Sequence, residues 1–373
     1  MEYVQVGLGH RAQTFRRVLG DMGDWRCVGL VLRRTRQAAV PVYTELGACL
    51  REVRADCVVS FAPVGRSVGV VETAVGFGVR VVVMAPVAAT VGDCDRLGEV
   101  GRTGGTGGTD GTELAGTSGT GFAGADVGGT GGAGLAGTGA GGTGVPGTEL
   151  VAVAAPYLYL PGHLARLAVV ERGLIGTVSE VQIAGTPAHQ AAALLREFLG
   201  TGRRPAAVQA YHFGADGTTG VTVAAVDFGE GRSGLVEYPG KWGGVRPRLL
   251  VRGDAGEISG DQVVGLAGHG LITTTYLTHL TATGGGRPAD PGRGGWRRTD
   301  AITLGDQVVW TNPWPDSPWT DEELGVAENL TRLAAWVRGA APAPYPLADA
   351  LHDTRLGLTI DQARPTGRTV AAG

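Results

Sequence analysis

A β-prone run at residues 3–6 (YVQV) enters Gly7-Leu8-Gly9 directly, and residues 14–19 continue with the spacing of an amphipathic helix. A strand, a tight glycine turn and a helix in immediate succession commit a chain to the first unit of a parallel α/β sheet. In such a unit, glycines let the backbone approach a pyrophosphate, and the helix N-terminus offers free N–H groups and the positive end of its dipole. Gly7, Gly9 and Ala12 supply a G-x-G-x-x-A pattern, so Gly7, Leu8, Gly9, His10 and Arg11 are candidate dinucleotide contacts. In a chain with 66 glycines the pattern alone also fits an ordinary turn. A second β run, residues 25–32, ends at Arg33-Arg34. An acidic residue there accepts from the ribose hydroxyl of NAD, whereas arginines complement a 2′-phosphate. Arg33 and Arg34 therefore point to NADP, with NAD as the alternative.

The segments that follow keep the alternation. Residues 55–63 form a strand with a proline exit, 67–77 a helix, 79–83 a continuous β-branched run suited to burial on both faces, and 90–100 a Thr-capped helix. Residues 149–155 form the next strand. This is a doubly wound α/β domain spanning residues 1–155. Its helix-to-strand connection at 101–147 is a tract of Gly, Thr and Ala, too poor in large apolar side chains to offset the entropy of ordering. A flexible insertion is the expectation there.

From residue 156 the pattern changes. Helices at 161–173 and 189–199 flank a strand at 177–184, and strand candidates alone follow at 220–228, 233–238, 248–252, 271–280, 301–304 and 307–310. They predict an α+β domain, 156–373, built on a largely antiparallel open sheet with helices on one face. Two helices within 321–363 close the chain. With no helices left for the other face, a homo-oligomer burying sheet against sheet is expected.

A net charge of −3 gives no basic footprint for nucleic acid. No apolar run is long enough for a membrane span and no export signal precedes the first strand, so a cytoplasmic protein with a small-molecule substrate is expected. Cys27, Cys49, Cys57 and Cys94 show no metal or disulfide spacing and read as buried free thiols; no metal is expected.

Taken together, VGLGHRAQ, DCVVSFAP, VRVVVMAPVAATVGD, YLYLPGHLARLAVVERGLIGTVSEVQI, HQAAALLREFLG and the closing NLTRLAAWVRG…YPLADALHDTRLGLTIDQA resemble the Gfo/Idh/MocA oxidoreductases in order and spacing, over nearly the whole chain apart from the glycine tract. The resemblance implies a Rossmann domain followed by an open-sheet domain, a nicotinamide cofactor bordered by Ala62, Pro63, Ala85 and Pro86, and hydride transfer to or from a sugar, inositol or imine carbon. It also marks three departures. The family's Glu-Lys-Pro reads Met84-Ala85-Pro86, so alanine replaces the lysine. Its aspartate and histidine, four apart, appear as Gly185 and His189, and Ser67 stands where many members carry histidine.

Alanine neither shuttles a proton nor donates a hydrogen bond, and losing a general base costs about 10²–10⁴ in rate. Polyol oxidation by the usual route is therefore not expected. Reduction of an imine or carbonyl needs one proton donor. His189 is the first candidate, because a helix N-terminus suits a neutral imidazole donor; capping or packing is the competing role. Tyr157, Tyr159 and His163 are further candidates, each with a packing role as the alternative. Clustered tryptophans (Trp242, Trp296, Trp310, Trp314, Trp319) suit a pocket wall or an interface, and Arg293, Arg297 and Arg298 a solvated loop. Against the reductase stand a catalytically degenerate auxiliary subunit and a site repurposed for non-redox chemistry.

Overall fold

The computed structural model describes residues 1–34, 38–103, 150–200, 205–216, 219–239, 247–267, 271–281, 298–363 and 369–371. Most of the glycine tract, Arg36, Trp242, Trp296, Arg293 and Arg297 lie outside the described residues, as do the side chains of His10 and Arg11. Among the described residues the strands form two sheets.

The first sheet is parallel. Its strands are β1 (Glu2–Val6), β2 (Arg26–Val31), β3 (Val42–Tyr43), β4 (Cys57–Ser60), β5 (Arg80–Met84) and β6 (Val151–Ala154), in spatial order β3-β2-β1-β4-β5-β6. Between them run α1 (His10–Met22), α2 (Leu46–Glu52), α3 (Ser67–Gly76) and α4 (Val91–Thr103). Period-two alternation splits each strand between two cores. Val4, Val58, Val81 and Val83 pack with Val71 and Leu97 on one face, while Tyr3, Val59, Val82 and Ala152 pack with Phe15, Val18 and Leu19 on the other. Covering both faces is what makes Val81-Val82-Val83, after Arg80 at the strand's start, an unbroken apolar run.

The second unit begins with α5 (Pro161–Glu171), β7 (Val178–Ala184) and α6 (Ala188–Leu199). It continues through β8 (Ala207–Asp216), β9 (Thr219–Gly229), β10 (Arg232–Pro239), β11 (Arg248–Gly253), β12 (Gly256–Ser259), β13 (Gln262–Ala267), β14 (Leu271–Leu280), β15 (Ala301–Leu304) and β16 (Gln307–Thr311). Helices α7 (Asp321–Val337) and α8 (Leu347–Ala363) and a short β17 (Thr369–Ala371) close the chain. The sheet is largely antiparallel, with β7 and β10 paired in parallel. Four strands go beyond the sequence expectation. β12 and β13 form a glycine-bearing hairpin, β17 is an edge strand, and β8 alternates buried Val208 and Ala210 with outward Tyr211 and Phe213.

Register shows which side of this sheet is covered. Val181, Ile183, Val236, Val226 and Val251 point to one face, where α6 lies so close over β10 that a Cβ on Gly234 would stand 2.7 Å from a Leu195 methyl. Following the pairing across the other face joins Phe213 and Tyr211 through Gln182, Glu180 and Arg252 to Leu266, Ile272 and Tyr276. These five apolar residues, Phe213, Tyr211, Leu266, Ile272 and Tyr276, are exposed among the described residues, Phe213 by 62% and Ile272 by 67%. Ion pairs of Arg252 with Glu180 and Glu257 occupy its middle.

Helices α7 and α8 return to the first sheet. Leu330, Leu333 and Trp336 of α7 join the core beneath α1. Helix α8 bridges the two units: Leu347 and Leu351 contact α4 at Gly101 and Gly98, and Gly357 contacts α6 at His189. Arg196 of α6 reaches Asp353 (3.2 Å) and Asp349 (3.4 Å) of α8, beneath the Tyr345 ring. The Tyr345 hydroxyl donates to Asp353 Oδ2 at 2.5 Å.

Cys49, Cys57 and Cys94 are buried and Cys27 is half-buried, all as free thiols. Burial pushes the Cys57 thiol up to about 12 and those of Cys49 and Cys94 up to about 11, which disfavours the reactive thiolate. Among the described residues no helix is long and apolar enough to cross a membrane.

Candidate active site

In a doubly wound sheet a ligand binds beyond the strand C-termini, where the strand order reverses. Here that point lies between β1 and β4. Gly7 has φ +85, and a Cβ there would stand 3.0 Å from the Phe61 carbonyl oxygen at the end of β4. Both conformation and contact select glycine. Its N–H donates to Val31 O and its carbonyl accepts from the Gln5 side-chain amide, which pins the turn to its neighbouring strands. Gly9 is the N-cap of α1 with φ −61 and makes no side-chain cap, and no acidic residue occupies the first turn. The nearest atom to a Cβ on Gly9 would be 3.9 Å away. Gly7 is thus needed to close the fold, whereas Gly9 keeps the uncapped helix end open to a bulky anion. The turn and helix end fit a dinucleotide's pyrophosphate. Arg33 and Arg34 are exposed just beyond β2. Ala62 and Pro63 follow β4, where Ala62 N–H donates to Ser60 Oγ at 3.3 Å.

Beside this crevice lies a cavity of about 430 Å³, within the usual size range of small-molecule sites. Four parts of the chain wall it. Val64 comes from the turn after β4, and Pro86, Ala88 and Ala89 from the exit of β5. Pro187, Ala188 and His189 are the N-terminal end of α6, and Tyr238 and Pro239 the end of β10. Helix α8 adds Thr354, Gly357, Leu358 and Asp361. The Tyr238 hydroxyl donates to Asp361 Oδ1. A Cβ on Gly357 would stand 3.0 Å from the His189 backbone nitrogen, so glycine lets α8 reach the first turn of α6.

His189 therefore lines the cavity, as does Pro86. Ala85 precedes it in a cis peptide, 7% exposed, with its N–H donating to Ala154 O. Gly185 has φ +75 and donates its N–H to the Glu237 carbonyl. The other three candidates lie away from the lining. Tyr157 and Tyr159 form a 3₁₀ turn, Pro156–Tyr159. The Tyr159 hydroxyl donates to Pro344 O, and its ring lies under the Arg332 guanidinium at 5.1 Å. Burial, and next the Asp353 charge, pushes the Tyr157 phenol well above its usual range. His163 packs edge-on against Phe198, and burial, aided by Arg166, lowers it to about 3, holding the ring neutral.

Trp319 is buried, donates to Asp21 and stacks edge-on with Trp314. Arg298 is tied to Asp300 and to the Ser317 carbonyl. Tyr238 and Asp361 are the site residues that sequence reasoning passed over. They are 123 positions apart, and the one local signal was a tyrosine at a strand end before proline.

No protein-family model and no curated protein matches the sequence. Solved structures share the whole architecture. An Agrobacterium radiobacter oxidoreductase, crystallised with NAD+, L-tartaric acid and magnesium, is 14% identical over 100% of this chain and 98% of its own, with a TM-score of 0.66. GenD2 from gentamicin A biosynthesis, in complex with NAD, is 16% identical over 100% and 96%, at 0.64. Apo scyllo-inositol dehydrogenase from Lactobacillus casei is 11% identical over 100% and 98%, at 0.65. At such identities the likeness establishes the fold: a Rossmann-like parallel sheet with a second, mostly antiparallel sheet, as the sequence resemblance implied.

Proposed function

We propose that this chain is an NADP-dependent oxidoreductase that reduces a carbon–nitrogen or carbon–oxygen double bond of a small molecule. The observation that carries the proposal is a cavity lined both by Val64 and Pro86, from the turns after β4 and β5, and by His189, Tyr238 and Asp361. Two of the solved structures with this architecture, the Agrobacterium radiobacter oxidoreductase and GenD2, were crystallised with NAD, which supports a nicotinamide dinucleotide as the cofactor. The Gly7–Gly9 turn and the N-terminus of α1 would hold its pyrophosphate, with Ala62, Pro63, Ala85 and Pro86 bordering the path toward the cavity. Arg33 and Arg34 would favour the 2′-phosphate of NADP. Bound there, the cofactor supplies the hydride.

What remains is one proton for the nitrogen or oxygen of the reduced bond. His189 is the candidate donor within the lining. Tyr238 brings a hydroxyl to the cavity, but its single proton is held by Asp361, so its part is to orient that carboxylate. Donation by His189 requires no lysine at position 85.

The uncovered apolar face of the second sheet supports a homo-oligomer, with Phe213, Ile272 and Tyr276 buried against a second copy.

The test is a fluorescence titration with NADPH and NADH, followed by initial rates of NADPH consumption with a panel of cyclic imines and ketones. We expect tighter binding of NADPH and turnover of panel members. Failure to bind either dinucleotide overturns the proposal.

A further inference from the structure

The cavity has an asymmetric chemistry. Val64, Pro86, Pro187, Ala188 and Leu358 give it apolar walls, and no lysine or arginine lines it among the described residues. Its one carboxylate is Asp361. The phenol of Tyr238 donates to Oδ1 of that carboxylate, which leaves Oδ2 without a hydrogen bond among the described residues. A phenol held in this way fixes the carboxylate's position at the cavity. An apolar pocket with one oriented carboxylate, an aromatic ring and no lysine or arginine has the composition that binds organic ammonium or iminium ions. It is poorly suited to anions, because a carboxylate in the ligand would face Asp361 with no lysine or arginine of the described lining opposite.

We infer that Asp361 and Tyr238 make this cavity selective for hydrophobic cationic nitrogen compounds, amines and iminium ions, over neutral alcohols and over carboxylates or phosphates of the same size. The inference rests on the reductase proposal for its catalytic meaning, since it identifies the double bond as C=N in a protonated imine, whose nitrogen then brings the proton the reduction needs and leaves only the hydride to be added, but the selectivity itself concerns binding. Asp361 would pair with the nitrogen, Tyr238 would hold Asp361, and the walls after β4 and β5 would take the hydrocarbon.

The test uses three compounds of one size that differ in charge: benzylamine, benzyl alcohol and benzoate. Their binding to the full chain is measured at neutral pH by calorimetry and ligand-observed NMR, with NADPH affinity measured on the same samples. We expect benzylamine to bind about tenfold more tightly than benzyl alcohol, as one charge-assisted hydrogen bond at a partly exposed site allows, and benzoate most weakly. Asp361→Asn should bring benzylamine to within about twofold of benzyl alcohol, and Asp361→Glu should keep the order.

Asp361 is exposed, so both variants should fold, with circular dichroism as the check. Should they not, Tyr238→Phe keeps the charge while removing the hydrogen bond, and it should preserve the order with a smaller gap. Benzoate binding as tightly as benzylamine, an amine advantage unchanged in Asp361→Asn, or no benzylamine binding at about 10 mM each overturns the inference. The amine order without dinucleotide binding would sink the reductase proposal alone. Dinucleotide binding without the amine order would sink the charge selectivity alone.

Discussion

Replacing each glycine of the first turn by alanine separates what the fold requires from what the ligand requires. At Gly7, alanine must adopt φ +85, a left-handed conformation that costs an L-residue about 1–2 kcal/mol. Its methyl would also stand 3.0 Å from Phe61 O and 3.1 Å from Phe61 C. That carbonyl is held because the Phe61 N–H donates to Val6 O and its ring packs against Phe15, centroids 5.3 Å apart. Moving buried backbone by a few tenths of an ångström adds about 1–2 kcal/mol. Gly7→Ala should therefore lose about 2–4 kcal/mol, or about 4–15 °C in Tm for a domain of this size. At Gly9 the backbone already has φ −61 and the nearest atom is 3.9 Å from the added methyl. Gly9→Ala should keep Tm within about 2 °C, since only a weak N-cap preference is lost. If the uncapped end of α1 receives a pyrophosphate, the same methyl should weaken NADPH binding at least about tenfold, because it stands where the phosphate approaches. The assays are differential scanning fluorimetry and NADPH fluorescence titration on both variants. An unchanged Tm in Gly7→Ala would refute the steric argument, and unchanged NADPH affinity in a folded Gly9→Ala would refute the placement of the phosphate.

The remaining predictions address specificity, titration and assembly. Arg33→Asp should cut the preference for NADPH over NADH at least about tenfold, because a carboxylate repels the 2′-phosphate and accepts from a free ribose hydroxyl; an unaltered ratio of dissociation constants would rule out that contact. His163 is lowered to about 3 when folded, against 6.5 for its ordinary value, so unfolded chains bind the extra proton. Stability from this residue is complete above pH 6.5 and is lost as pH falls toward 3. Between pH 7 and 5 the unmodified protein should lose about 1–2 kcal/mol more than His163→Leu, measured by urea melts, and parallel losses would show the ring to be solvated. Ile272→Asp on the uncovered sheet face should lower the mass measured by light scattering to that of the monomer, with monomeric mass in the unmodified chain contradicting the oligomer.

The parallel unit was legible because each of its signals is local. A buried strand such as Val81-Val82-Val83 needs apolar side chains on both faces, and an amphipathic helix shows its stripe within four turns. The second sheet was legible in outline only. β12 and β13 are short, and Gly256, Gly260 and Gly265 interrupt them. A Cβ at Gly256 would stand 2.2 Å from the Val264 carbonyl oxygen, so the glycine that blurs the strand in the sequence is required by its pairing. The cavity was half visible. His189 announced itself as a polar residue at a helix start. Tyr238 and Asp361 did not, because their meeting depends on how β10 ends, how α8 crosses α6, and the Gly357 contact that sets that crossing, none of which has a short-range signature. Tyr157, Tyr159 and His163 are chemically capable side chains close in sequence to the cavity that do not line it: Tyr159 turns to Pro344 and Arg332, and His163 to Phe198.

Two of the positions where the chain departs from the resembling family's pattern are held by backbone hydrogen bonds. Gly185, where the family carries an acid, has φ +75 and donates to Glu237, one residue before Tyr238 in β10. Glycine takes that left-handed backbone freely, and among L-residues asparagine and aspartate take it most readily. Ala85, where the family carries lysine, is 7% exposed, and a longer side chain would have to leave the core for the cavity already bordered by Pro86. The end of β10 thus serves two contacts at once, since Glu237 accepts from Gly185 and the next residue, Tyr238, donates to Asp361. A substitution that moves this strand end should therefore disturb both contacts together.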